Sequence, residues 1–130
     1  VLHAVQVTKL GAVFVQVSDL DQSVRFYSEV LKLQLRNIEN WEDGRGANYK
    51  IGSDGPLLTL LEKVNPQRLQ QPAFNLCCEN IVEGYEALKS QGVNVGPLNQ
   101  WSSDQNDHID FDVFDPDGNA INLIEWKRRA

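Results

Sequence analysis

Hydrophobic and polar positions follow two rhythms along this chain. Residues 11–17 (GAVFVQV) place β-branched and aromatic side chains between a glycine and a Ser-Asp pair, which predicts a strand. From Leu20 the apolar positions switch to helical spacing: Leu20, Val24, Tyr27 and Leu31, widened by Phe26 and Val30. Ser18 or Asp19 offers the side-chain oxygen that satisfies free amides at the start of such a helix. Strands are expected at 33–38, 47–51 and 57–62, with turns at 41–46 and at Ser53-Asp54-Gly55-Pro56. Residues 63–71, rich in glutamine, read as a linker.

The second half runs through the same programme. A strand is expected at 72–78 and a helix at 81–91, with Ile81, Tyr85 and Leu88 on one face and Gly92 as its left-handed C-terminal residue. A short strand at 93–95 precedes a polar, turn-like stretch at 99–107 around Trp101. Strands at 108–114 and 120–126 flank the turn Asp115-Pro116-Asp117-Gly118, which proline, glycine and aspartate chemistry explain without further function.

The halves can be superposed. An offset of 61 lays 11–17 on 72–78, and Leu20, Val24 and Tyr27 on Ile81, Tyr85 and Leu88. An offset of 63 lays Asp54-Gly55 and the apolar run ending in Glu62 on Asp117-Gly118 and the run ending in Glu125. Two βαβββ modules, 11–62 and 72–126, account for both matches and define an α+β protein. Alternation then sorts each strand. Val13, Val15, Val17, Leu58 and Leu60 should face the helices. Ala12, Phe14, Gln16, Leu57, Thr59, Leu61, Ala73, Asn75, Cys77, Ala120, Asn122 and Ile124 should share the other face. That face is mainly apolar with a few hydrogen-bonding groups, the usual make-up of a small-molecule pocket.

Composition narrows the partners. The 130 residues carry a net charge of −6, which argues against nucleic acid or an anionic membrane surface. No apolar run approaches the length of a membrane-spanning helix. The N-terminus does not read as a signal peptide. Cys77 and Cys78 are neighbours and poorly placed to pair, so a reduced, cytoplasmic chain is expected.

Val15-Gln-Val-Ser-Asp-Leu-Asp-Gln-Ser-Val-Arg-Phe-Tyr27 with Leu31, and Phe114-Asp-Pro-Asp-Gly-Asn-Ala-Ile-Asn-Leu-Ile-Glu125, resemble the opening and closing segments of the vicinal oxygen chelate superfamily. That group contains glyoxalase I, bleomycin- and fosfomycin-resistance proteins and extradiol dioxygenases. The resemblance spans about residues 10–126 and implies a cup-shaped mixed sheet, commonly in a homodimer. It also implies that metal ligands, where present, occupy the positions of Ala12, Thr59, Ala73 and Asn122. Family metalloenzymes carry His, Gln or Glu there. Alanine has no donor atom, and Thr and Asn are weak ligands, so no metal and no other cofactor is expected. The resulting expectation is a metal-independent module that binds a small organic molecule through Phe14, Gln16, Thr59, Asn75, Cys77, Trp101 and Asn122. The alternative is a metal-dependent lyase, isomerase or dioxygenase acting on a small substrate with vicinal oxygens.

His108 is the one acid–base candidate, near Asp107 and Asp110, although an exposed place at the start of its strand is the plainer expectation. His3 should be surface. Trp41, Tyr49 and Trp101 are expected on the walls or rim of the cup, with Arg45 and Lys50 as its nearest cations. Cys78 should be inert core.

Overall fold

A computed structural model describes residues 4–128; His3 and Arg129 lie outside the described residues. Its element order is β1 (Ala12–Val17), α1 (Leu20–Arg25), β2 (Gln34–Trp41), β3 (Gly44–Lys50), β4 (Leu57–Glu62), β5 (Asn75–Cys77), α2 (Ile81–Ser90), β6 (Asn99–Ser102), β7 (Asn106–Phe114) and β8 (Ala120–Arg128). The strands form two four-stranded mixed sheets, ordered β1-β4-β3-β2 and β5-β8-β7-β6. In each, the first strand of a module runs parallel to its last, and the remaining pairs are antiparallel. The two βαβββ modules thus share one topology.

Alternation sorted the faces as expected in both modules. Val15, Val17, Leu58 and Leu60 are buried with Leu20 and Tyr27, and Phe111, Val113 and Ile121 join them from the second sheet in one core. Phe14, one residue out of phase, is 58% exposed. Among the described residues, no helix is long and apolar enough to cross a membrane.

Several local expectations need correcting. The first helix is not α-helical throughout: after Arg25 it widens into a π-helical turn, Phe26–Val30. The 41–46 turn is tighter, because β2 runs on to Trp41 and β3 begins at Gly44. The fifth strand holds only Asn75–Cys77, leaving Ala73 ahead of it; Pro72 has no N–H to extend the ladder. Residues 93–95 contribute an isolated bridge, Val95 to Val113. The polar stretch around Trp101 is a strand, with Trp101 opposite His108. Tyr49 is fully buried in the helix-side core, its hydroxyl 3.1 Å from the Val24 carbonyl oxygen, so it is no cup residue. Arg45 also lies on the helix side, bonded to Glu62 at 3.0 Å and to Asp21 at 3.3 Å.

The modules have one detail in common that explains their doubled glutamates. Glu62 Oε2 accepts the Leu20 N–H at 3.0 Å, at the start of α1. Glu125 accepts the Asn80 and Ile81 N–H groups at 3.2 Å, at the start of α2. The last strand of each sheet therefore supplies an anion to its own helix's free amides, where the helix dipole favours negative charge.

Candidate functional site

On the helix-free face of the first sheet, register aligns Phe14, Thr59, Asn48 and Asn37 across all four strands. The polar members are joined. Thr59 Oγ1 donates to Asn48 Oδ1 at 2.7 Å, and Asn48 Nδ2 donates to Asn37 Oδ1 at 3.0 Å and to Glu39 Oε2 at 2.9 Å. Thr59 and Asn48 are buried, so this ladder meets the requirement that buried polar groups find partners. Gln16 is also engaged: its Oε1 accepts the Gln67 N–H of the linker at 2.8 Å.

The second sheet repeats the device with charge. Asn75, Asn122 and Asp112 stand in register, and Asn122 Nδ2 donates to both Asp110 Oδ2 and Asp112 Oδ1 at 2.9 Å. One amide thus lies between two carboxylates. Beside it opens a broad hollow of about 600 Å³, bordered by Leu10, Ala73, Asn75, Asp110 and Asn122. Of the expected site residues, Asn75 and Asn122 meet here. Phe14 and Thr59 belong to the other sheet, and Cys77 is exposed beyond Asn75.

An aromatic group lies further along the same face. The Trp101 and His108 rings stack, with centroids 3.8 Å apart and planes within 1°. Trp126 meets His108 edge-on at 6.0 Å. The indoles remain open to solvent, Trp101 at 49% and Trp126 at 54%. His108 is only 8% exposed, against the expectation of an exposed residue, because Trp101 covers its ring. Its Nε2 lies 3.1 Å from Ser103 Oγ, while Nδ1 is buried and unpartnered. Asp110 Oδ1 is likewise buried without a partner. Strand parity already grouped Asp110 and Asp112 with His108, but sequence reasoning missed Trp126 as a member of this face. The signal was available, since parity places Trp126 with Asn122.

The donor chemistry does not fit a catalytic metal. Ala12 and Ala73 contribute no donor. Thr59 and Asn122 offer neutral oxygens, weak ligands beside the imidazoles, thiolates and carboxylates that transition-metal sites use, and both side chains are held by hydrogen bonds to their neighbours. Among the described residues no group of three or more His, Cys, Asp or Glu side chains is placed to hold an ion. The thiols offer little chemistry either. Cys78 lies on the helix side, on the wall of a second cleft of about 380 Å³. Burial, and then the Glu125 charge, push its thiol up, so the reactive thiolate is scarce at neutral pH.

Comparison with known proteins places these features in context. The profile of the Glyoxalase/Bleomycin resistance protein/Dioxygenase superfamily matches residues 9–123. A curated protein of Vibrio parahaemolyticus serotype O3:K6 (strain RIMD 2210633), named "Probable lactoylglutathione lyase", is 32% identical over 127 residues, spanning 88% of each chain. Among solved structures, TnmS3, described as an antibiotic binding protein from Streptomyces sp. CB03234, superposes with a TM-score of 0.76 at 20% identity, covering 95% of this chain and all (100%) of its own. A lactoylglutathione lyase from Agrobacterium tumefaciens superposes with a TM-score of 0.69 at 16% identity, covering 92% of this chain and 95% of its own. At these identities the structural matches speak for the fold alone.

Proposed function

As the chain belongs to the Glyoxalase/Bleomycin resistance protein/Dioxygenase superfamily, we propose that it is a metal-independent module that binds a small organic molecule on the helix-free faces of its sheets. One observation carries this reading. Of the four positions at which the family's metalloenzymes hold their ion, two are alanines without a donor atom, and Thr59 and Asn122 are neutral, weak ligands. Hydrogen bonding and stacking remain as means of recognition, from Asn75 at the border of the open hollow and from the exposed Trp101 and Trp126 further along the same face. The reading includes a homodimer, because Phe14, Trp101 and Trp126 leave apolar surface exposed on faces without helices. It also includes a cytoplasmic location, in keeping with two free thiols.

The 32% identical relative favours a second reading, a metal-dependent lyase. Elemental analysis and a turnover assay separate the two. Protein purified without chelator is expected to carry substoichiometric zinc, nickel, manganese and iron, and to show no lactoylglutathione lyase activity after reconstitution with each. One equivalent of metal with turnover would overturn the binding reading.

A further inference from the structure

Resting on that reading, we propose that the ligand of the second sheet is a planar organic cation bearing N–H groups, held against Trp101 and Trp126 beside Asp110.

Three independent features select this chemistry. The first is shape: two half-exposed indoles flank a buried imidazole, and the imidazole holds Trp101 flat against it at 3.8 Å. A large ring held in one orientation is a stacking platform that loses little freedom on binding. The second is charge. Asp110 and Asp112 are on this face, and the one side chain between them is a neutral amide, which leaves two formal negative charges against one polar donor. Among the described residues of β8, the basic side chain of the same parity is Arg128, at the tip of the strand, two residues beyond Trp126. Indole faces also attract cations through their quadrupole.

The third is an unmet need for donors. Ser103 Oγ is within 3.3 Å of the Asn106 carbonyl oxygen and 3.1 Å of His108 Nε2. His108 Nδ1, on the other side of the ring, is buried and has no partner. Asp110 Oδ1, two residues along the same strand, is a buried acceptor without a partner, on a side chain that borders the hollow. An acceptor without a donor, on the same face as two exposed indoles, calls for a ligand that brings an N–H group. An anion would meet carboxylates here, and a saturated ligand would gain nothing from the flat indole.

Three dyes of one ring size test this by fluorescence polarisation: proflavine (a cation with amino N–H groups), acridine orange (a cation with those amines methylated) and anthracene-2-carboxylate (an anion). Proflavine is expected to bind saturably, acridine orange about tenfold more weakly, and the anthracene carboxylate weakest of all. Trp101→Ala and Asp110→Asn should each weaken proflavine about tenfold or more, and Trp101→Phe should restore part of the loss. Circular dichroism checks that each variant folds. If the anthracene carboxylate binds as tightly as proflavine and depends equally on Trp101, the cation proposal fails while the binding reading stands. If no dye binds, or none responds to Trp101 or Trp126 substitution, both fail.

Discussion

The Tyr27 hydroxyl donates to Asp115 Oδ2 at 2.8 Å, joining the helical segment of the first module to the last turn of the second. Asp115 also accepts the Asp117 and Asn119 N–H groups and the Asn119 amide, each at 2.9 Å. Asn119 in turn accepts the Leu69 N–H at 2.7 Å and donates to the Gln16 carbonyl oxygen at 3.0 Å. Burial, reinforced by the Asp115 charge, pushes the Tyr27 phenol far up, so it is a donor at neutral pH.

This clasp sets the first prediction. Tyr27→Phe removes one of four donors to a buried carboxylate and should cost about 1–2 kcal/mol. Asp115→Ala leaves the buried phenol, two backbone N–H groups and one Asn119 amide hydrogen without their acceptor and should cost about 3 kcal/mol or more. Urea unfolding measures both. The double variant should lose less than the sum, because the two residues share one bond.

Acid stability should depend on Glu62. The Arg45 guanidinium, and then the Leu20 N–H, hold its carboxyl below the ordinary value of 4.5. A carboxyl lowered on folding adds stability above its unfolded value, and that contribution is lost as pH falls through the folded one. The wild type should therefore lose stability on acidification from about pH 5 downwards. Glu62→Gln should be less stable at pH 7 and flatter across the acid window. Thermal melts at stepped pH read both effects; parallel curves for the two proteins would refute the assignment.

Asn122→Leu should destabilise the second sheet by about 1–3 kcal/mol, since Asp110 and Asp112 lose their common donor. Adding Asp112→Asn should recover part of that loss by removing one of the two neighbouring charges. A further drop in the double variant would show that charge is not the issue.

At Gly46 a β-carbon would overlap the Trp41 ring, which packs over the bare backbone. Trp41 is 40% exposed, so its ring has solvent on one side into which to turn. Gly46→Ala should thus red-shift the Trp41 emission while changing stability by less than about 1 kcal/mol. Larger destabilisation would mean that the indole is pinned.

Much of the fold was legible because local patterns and the repeat agreed. Alternation placed Val15 and Val17 on the helix side and Phe14 opposite, and the offset of 63 paired Glu62 with Glu125, whose common role is to cap a helix. What escaped was set by tertiary contact. Residues 99–102 have turn-like composition, yet they pair with β7 where Trp101 stacks on His108. Tyr49 looked like a rim aromatic, but its pairing opposite Leu58 turns it to the core. The Asp115–Asn119 turn read as local chemistry, although its side chains reach residues 50 to 103 positions away. At the site, the residue types at Ala12 and Ala73 spoke for themselves, whereas the engagement of Thr59 and Asn122 required the neighbouring strands.

The clasp has no mirror image in the first half. Opposite Asp115 and Asn119, at the offset of 63, stand Gly52 and Pro56; opposite Tyr27, at the offset of 61, stands Leu88. The hydroxyl belongs to one half and the carboxylate to the other, so a tandem of two first halves would have no acceptor, and a tandem of two second halves no phenol at that place. The duplicated architecture has become a lock and a key, and neither piece can now stand in for its sibling.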